Sequence, residues 1–236
     1  DREMLETLVA TAIRLDCEIA QCGFTRDFEA AGLEEEVEHF DFVLVDPSGT
    51  GLVRKPLDLA LRQPTIWRRI YQRRFLETHG IEFDSDIPRF DDLAFQFKTL
   101  SLVQRLAVAP GAHYRYRLQR PGQDILISDE RLYVHFAIFD GLRPFVADHM
   151  SPRLARVFFK VQLASHHWAY SLIDSSLRKQ YALAARHDLL RHHGFWGAIK
   201  MSILALTLGV RRGLWFLRLL TMSGDSQAAW NRARFY

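Results

Sequence analysis

The sequence predicts an α+β protein, in which a first part of few strands and short helices precedes an all-helical C-terminal region. Before about residue 125, short apolar runs with strand-like alternation are separated by turn signals rich in Pro, Gly and Asp. From about Ser128 onward these strand signals are absent, and long stretches with helical spacing follow. We therefore predict two domains, 1–125 and 126–236.

The first elements alternate between helix and strand signals. Apolar residues at helical spacing over 4–13 predict a helix, and the run over 17–24 predicts a strand. The acidic run over 32–36 predicts a solvated loop or a short helix. A second strand is predicted over 39–45, because an Asp-Pro-Ser-Gly turn ends that apolar run. A short helix follows over 57–62.

The middle of the chain continues this alternation. Loose alternation over 65–71 predicts a strand, and 75–80 predicts a helical turn that ends at a glycine. Two further strands are predicted over 105–109 and 112–118. The Pro-Gly pair at 110–111 separates them, and we predict that it forms a hairpin turn.

Two adjacent carboxylates, Asp91 and Asp92, stand at the start of a helix predicted after Pro88. The apolar face of that helix has the spacing i, i+4 and i+7 and consists of Leu93, Phe97 and Leu100. An aspartate there can cap backbone N–H groups and favour the helix dipole. It can equally act as a general base towards a hydroxyl group. Adjacent helical residues project about 100° apart, so one carboxylate can face a substrate while the other caps.

A predicted strand with a cationic face follows this helix. Period two places His113, Arg115 and Arg117 on one face, as in many half-exposed strands. Arginine also matches the oxygens of a diphosphate, and His113 is a candidate ligand of a divalent metal. Trp67 is either a core aromatic or a platform for a sugar ring. The arginines that follow it are solvated or, for a minority that includes Arg69, reach a phosphate or an acidic neighbour.

The charge is distributed unevenly along the chain. Residues 1–100 carry 20 acidic and 12 basic side chains, whereas residues 101–236 carry 8 and 19. The basic half could face a phosphate-rich partner, either an anionic membrane or nucleic acid. A non-catalytic basic helical module is therefore one functional hypothesis. No helix combines a compact basic face with a DNA-reading motif, so we expect no nucleic acid as a partner.

The C-terminal region contains four stretches with helical spacing, over 130–139, 152–178, 181–191 and 195–222. The last stretch combines apolar mass, Trp and flanking arginines, which suits a helix lying in a membrane interface. A buried bundle helix or a homodimer contact is the alternative. Its uncharged run over 201–210 is shorter than the about 18 residues that a membrane span needs.

The cysteines and the helical histidines do not point to a disulfide or a metal site. Cys17 and Cys22 fall on opposite faces of one predicted strand, so we expect reduced thiols. This predicts a cytoplasmic protein, which would be peripheral at the inner face of the plasma membrane if 195–222 binds lipid. Histidines of the helical part lack the i, i+4 spacing of metal sites and are predicted at the surface or an interface. They are His166, His167, His187, His192 and His193.

Five segments, in order and at familiar spacings, resemble the acceptor half of inverting, family-2 type glycosyltransferases of the GT-A fold. They are 67–76, 80–83, Phe90-Asp91-Asp92-Leu93, 105–106 and Tyr114-Arg115-Tyr116-Arg117. The resemblance covers about residues 1–120 and implies an incomplete GT-A-like portion followed by the helical region. The family's donor-nucleotide half has no counterpart in this sequence. We therefore expect a C-terminal fragment of a longer enzyme that is inactive alone.

The resemblance also implies roles for individual residues. The family takes its catalytic base from the second member of an acidic pair, which is usually Glu-Asp. By resemblance Asp92 is that base, and Asp91 takes the Glu position with a shorter reach. The implied substrates are a nucleotide-sugar donor and a glycan or lipid-linked acceptor, with Trp67, Arg69, Arg115 and Arg117 as binding residues. The implied cofactor is Mn²⁺ or Mg²⁺, held mostly by the donor half.

Overall fold

The computed structural model describes residues 1–28, 31–37, 43–45, 51–118, 123, 126–191 and 195–233. The chain divides into two compact units. The first consists of Asp1–Phe83 and Phe95–Gln123, and the second of Asp84–Ala94 and Asp124–Tyr236. The domains 1–125 and 126–236 stay a prediction.

The first unit combines a sheet with short helices, as predicted from the mixed signals of this part of the sequence. Its elements are α1 (Met4–Leu15), β1 (Ile19–Phe28), β2 (Leu33–Val37), β3 (Val43–Val45), β4 (Gly51–Val53), two 3-10 helices (Pro56–Leu61 and Ile66–Arg68), β5 (Arg69–Tyr71), α2 (Arg73–Thr78) and β6 (Leu106–Arg117). Helix α3 (Asp91–Leu102) begins in the second unit and ends in the first.

The described strands form one mixed sheet with the order β2-β1-β6-β4-β3, and β5 also pairs with β1. The central pair, β1 and β6, is parallel, whereas the other pairs are antiparallel. Leu8 of α1 packs in a buried cluster with Ala20, Cys22 and Ala109 of this central pair. This cluster places α1 against the sheet and buries Leu8, whereas Leu5, Val9 and Ile13 of the same helix are exposed. Both cysteines are free thiols, as predicted.

The pair Pro110-Gly111 lies inside β6, so the predicted hairpin turn is wrong. Gln21 and Gly23 of β1 pair with Val108 and Ala112, which leaves extra residues on β6 in a bulge. Proline is tolerated at such an irregularity because it has no N–H to contribute to the ladder. Gly111 has φ +86°, a conformation that favours glycine, and a Cβ there would lie 2.9 Å from His113 Nε2.

The acidic run is a strand, β2, so the predicted loop or short helix is also wrong. Antiparallel pairing places Glu35 opposite Arg26 and Glu34 opposite Asp27 of β1. Arg26 Nη1 lies 3.0 Å from Glu35 Oε2, so a cross-strand cation offsets part of the negative charge. Of the next predicted strand, 43–45 form β3, while the rest of it and the turn after it lie outside the described residues.

The second unit is helical after residue 126, as predicted. A 3-10 helix (Glu130–Tyr133) leads into α4 (Val134–Asp148), α5 (Pro152–Leu172), α6 (Arg178–Leu190), α7 (Phe195–Leu206), α8 (Val210–Thr221) and α9 (Ser226–Ala233). The helix predicted over 195–222 is two helices, since the chain turns at Gly209, which has φ +105°. None of the helices in the described ranges is long and apolar enough to span a membrane.

A charged network lies inside the helical unit and is centred on Asp188 of α6, which is 1% exposed. Its carboxylate accepts hydrogen bonds from Arg143 at 2.8 Å and His166 Nε2 at 3.0 Å, and Arg191 Nη2 lies 3.2 Å away. Burial by itself raises the pKa of Asp188, but His166 and Arg143 outweigh it and lower that pKa to about 2. His166 is fully buried, so its predicted surface or interface position is wrong.

Removing the charge of Asp188 should destabilise the helical unit strongly. We expect Asp188→Asn to lower the free energy of unfolding by about 3–5 kcal/mol, because the partly buried Arg143 and Arg191 lose their counter-charge. The matched control is Asp140→Asn, since Asp140 also pairs with Arg191 but is 43% exposed. That change should cost about 1 kcal/mol or less. Urea denaturation followed by circular dichroism measures both.

The lowered pKa of Asp188 predicts that acid destabilises the helical unit. The folded pKa of Asp188, about 2, lies below its ordinary value of 3.8. Its contribution to stability is therefore present above pH 4 and is lost as the pH falls towards 2. This part of the acid destabilisation should be absent from Asp188→Asn, and an unchanged acid profile in that variant would contradict the assignment.

Candidate active site

The acidic pair lies in the first turn of α3, as the sequence predicts. The residue before it, Phe90, has φ +56°, a left-handed conformation that a bulky residue rarely adopts. Such strain is held only where the surroundings fix it, and it occurs often at functional sites. The chain therefore enters the helix that carries Asp91 and Asp92 through a constrained residue.

Aromatic packing within the second unit fixes Phe90. Its ring centroid lies 5.1 Å from that of His135 and 5.7 Å from that of Trp168. His135 is buried, and burial lowers its pKa to about 4, although a hydrogen bond with the Leu132 carbonyl acts in the opposite direction. The imidazole is thus neutral at pH 7 and packs as an uncharged ring against Phe90.

The surroundings of Asp92 raise the pKa of its carboxyl group. Burial first, and then the negative charge of Asp91, raise the pKa of the Asp92 carboxyl to about 6. Hydrogen bonds from the backbone N–H groups of Leu93 and Asp92 act in the opposite direction. The carboxyl group of Asp92 lies in the first turn of α3. With a pKa of about 6, it can exchange a proton near neutral pH.

His113 lies on β6 with both ring nitrogens next to oxygen atoms. Nδ1 is 2.9 Å from Asp1 Oδ2, and Nε2 is 2.9 Å from the Pro110 carbonyl oxygen. Both partners are hydrogen-bond acceptors, so a neutral imidazole donates to one of them at a time. Coordination of a metal by either nitrogen requires that nitrogen to leave its present partner.

The two strand arginines differ in their surroundings. Arg115 Nη1 donates to Glu34 Oε1 at 2.7 Å and lies 3.5 Å from Asp27 Oδ2. Arg117 is also exposed, yet no carboxylate in the described part of the chain forms an ion pair with its guanidinium. Arg117 is therefore the better placed of the two to bind an anion from solution.

Trp67 belongs to an aromatic cluster of the first unit. Its ring is stacked on Tyr116 at 5.0 Å and tilted against Tyr114 at 4.2 Å, and it meets Phe24 edge-on at 5.0 Å. Period two places the two tyrosines on the same side of β6, so the indole packs along that side of the strand. This contact favours the core-aromatic alternative for at least one face of Trp67.

Arg68 and Arg69 are buried, which the sequence did not indicate. Arg69 donates to Gln21 Oε1 at 3.0 Å and to Gln96 Oε1 at 2.8 Å. Arg68 donates to Thr65 Oγ1 and to the Cys22 carbonyl, and burial, followed by the charge of Arg69, lowers its pKa to about 9. Both guanidinium groups thus help to hold the first unit together, and a substrate role for Arg69 stays a prediction.

The structure divides the candidates between the two units. Asp91 and Asp92 lie in the second unit, and the remaining five candidates lie in the first. Within the first unit, Trp67 packs against Tyr114 and Tyr116, which alternate with the strand candidates on β6. The sequence did not reveal the constrained backbone of Phe90, although this residue stands directly before the acidic pair. Within the described ranges, no group of three or more His, Cys, Asp or Glu could hold a metal ion.

No family model and no curated protein matches the chain. Its fold, however, is similar to that of S. aureus TarS residues 1–349, with a TM-score of 0.61 and 12% identity. Crystal structures of the same TarS segment with UDP and with UDP-GlcNAc both give a TM-score of 0.60, with 13% and 12% identity. The match covers 100% of this chain but only 62–63% of the TarS chains.

TarS is a family-2 glycosyltransferase of the GT-A fold, so the predicted α+β, GT-A-like fold is confirmed. The likeness at 12–13% identity concerns the fold alone. This chain spans about 62% of the length of the TarS segment that it matches.

The raised pKa of Asp92 can be measured directly in this chain. We expect carboxyl titration by ¹³C NMR to give a pKa of about 6, well above the ordinary value of 3.8. Asp91→Asn should lower it, because the variant removes a neighbouring negative charge. Asp86→Asn, a change at an exposed residue of the segment before α3, serves as the control and should leave the pKa of Asp92 unaltered. An Asp92 pKa near 4 in the unaltered chain would contradict the account.

Proposed function

We propose that this chain is the acceptor-side part of an inverting glycosyltransferase that moves a sugar from a nucleotide-sugar donor to a glycan or lipid-linked acceptor. The observation that carries the proposal is Asp92, a partly buried carboxyl with a pKa of about 6 at the start of α3. It occupies the position that the family resemblance implies for the base. The likeness to the TarS fold, which covers all of this chain and 62% of the TarS segment, supports the same proposal.

The proposed role of Asp92 is to remove the proton from the acceptor hydroxyl. The hydroxyl oxygen then forms a bond to the anomeric carbon, and the bond from that carbon to the phosphate oxygen breaks with its electron pair. The nucleoside diphosphate leaves, and the configuration at the anomeric carbon is inverted. A pKa near 6 leaves Asp92 ionised at pH 7 while keeping it more basic than an ordinary aspartate.

Arg117 is the proposed contact for the departing diphosphate. Its exposed guanidinium has a planar set of donors that matches phosphate oxygens, and no described carboxylate forms an ion pair with it. Arg115 has the same side chain on the same face of β6, but Glu34 and Asp27 already neutralise it. The two residues therefore allow a matched comparison between Arg115, which is paired with carboxylates, and Arg117, which no described carboxylate pairs with.

A divalent ion fits the present residues only in part. His113 and Asp1 provide one imidazole nitrogen and one carboxylate that lie 2.9 Å apart. Mg²⁺ bound mainly through substrate phosphates needs only one or two protein ligands. Asp1 and His113 would hold the ion only after the hydrogen bond between them is broken. When bound, such an ion offsets negative charge on the diphosphate.

The comparison with TarS suggests which donors to assay first. TarS structures hold UDP and UDP-GlcNAc, which makes UDP-sugars the first donors to assay. The alternative is a basic helical module without catalysis, and the buried network limits which cations could serve it. Arg143 and Arg191 are engaged by Asp188 and Asp140 inside that network, so these two cations do not contribute to a basic recognition surface.

Sugar transfer by the natural protein that contains this chain tests the proposal. We expect release of nucleoside diphosphate from a UDP-sugar with Mn²⁺ or Mg²⁺, and a loss of about 10²–10⁴-fold in kcat for Asp92→Asn. We expect no turnover by the 236-residue chain alone. Equal rates for the unaltered protein and Asp92→Asn would remove Asp92 from the mechanism. No transfer across a broad donor and acceptor panel would favour the non-catalytic alternative.

The arginine pair tests the diphosphate contact separately. Arg117→Gln should lower kcat by about 10²-fold, because it removes donors from the developing negative charge. Arg115→Gln, the matched control, should have a much smaller effect, since its guanidinium is already paired. The reverse order of effects would assign the phosphate contact to Arg115.

A further inference from the structure

Helices α7 and α8 each present an apolar stripe to solvent. In both helices the stripe has the spacing i, i+4 and i+7, which places its members on one side. Every member is an exposed aliphatic residue. The stripes consist of Ile199, Ile203 and Leu206 on α7, and of Val210, Leu214 and Leu217 on α8.

The opposite sides of these helices belong to the core of the second unit. Ala205 of α7 and Trp215, Phe216 and Leu219 of α8 are buried in that core. The two helices also approach each other closely, since a Cβ on Gly213 would lie 2.6 Å from Leu206 Cδ2. Both helices are thus packed against the core, but the stripe residues themselves are not part of that core.

Only positive charges accompany the stripes. Residues 195–222 contain one lysine, three arginines and neither aspartate nor glutamate. Lys200, Arg211 and Arg218 each follow a stripe residue by one position, which places all three on the same flank at about 100° from the stripe. All three are exposed, and no described carboxylate forms an ion pair with them.

We propose that this surface, the outward sides of α7 and α8, binds an anionic phospholipid membrane in the plane of the interface. Aliphatic side chains would enter the headgroup boundary, while the flanking cations meet lipid phosphates. A second copy of the chain is a poorer occupant. A two-fold contact brings like surfaces together, and these surfaces have cations but no carboxylate to oppose them.

The proposal does not depend on the proposed glycosyl transfer, because binding to lipid can be measured without any substrate. The 236-residue chain is mixed with phosphatidylcholine vesicles that contain either no phosphatidylglycerol or about 30%, and sedimented. We expect cosedimentation with the anionic vesicles only, with weaker binding at higher salt. Absence of binding to anionic vesicles would overturn the proposal.

The double variant Ile203→Ser/Leu214→Ser tests the stripes, and both residues are more than half exposed, at 65% and 58%. We expect the partition coefficient to fall about tenfold or more, because two aliphatic side chains no longer enter the membrane. Leu5→Ser/Ile13→Ser is the matched control, since these residues of α1 are 64% and 76% exposed and α1 carries charges of both signs. An equal loss in the control would overturn the assignment to α7 and α8.

Two further experiments test the flanking arginines and self-association of the chain. Arg211→Gln/Arg218→Gln should lower binding to anionic vesicles about tenfold and leave the thermal melt unchanged. Analytical ultracentrifugation tests the alternative occupant. A dimer that Ile203→Ser/Leu214→Ser dissociates, without any loss of vesicle binding, would assign the surface to a second copy instead.

Discussion

The candidate site depends on the packing of one aromatic ring. Phe90 keeps φ +56° because its side chain lies against His135 and Trp168 of the helical unit. A left-handed bulky residue costs of order 1–3 kcal/mol, which is comparable to what burying an aromatic ring contributes. Helix α3 begins at the next residue, so this packing determines where the acidic pair stands.

Two aspartates show how the surroundings set the chemistry of a carboxyl. Burial raises the pKa of both Asp92 and Asp188, but their neighbours act in opposite directions. His166 and Arg143 keep Asp188 ionised, so it acts as a permanent counter-charge inside the helical unit. Asp91 adds a second negative charge beside Asp92 and raises its pKa further, which suits proton exchange.

Sequence patterns predicted the elements that depend on local spacing. The start of α3 and its buried face followed from one aspartate pair and a regular apolar repeat. The Pro110-Gly111 pair has the same local signal in a turn and in a bulge, and only pairing with β1 distinguishes them. The acidic strand β2 was missed for a similar reason, because Arg26 on another strand offsets its charge.

The candidate site was predictable to a lesser degree. The resemblance proposed Asp92 and the strand arginines as site residues, and these roles stay predictions. It could not show that Arg115 is paired with Glu34. The buried Arg68 donates to the Cys22 carbonyl, which lies 46 residues away along the chain. Such a contact is tertiary, and single-sequence spacing contains no record of it.

The most direct test of the central claim, that Asp92 is the catalytic base, is the pH dependence of kcat/KM for the natural protein that contains this chain. We expect a rise to a plateau with an apparent pKa of about 6, which is the pKa of the Asp92 carboxyl. In Asp91→Asn the same limb should move to lower pH, together with the pKa of Asp92. A profile that is flat from pH 5 to 7, or a limb that Asp91→Asn leaves in place, would contradict it.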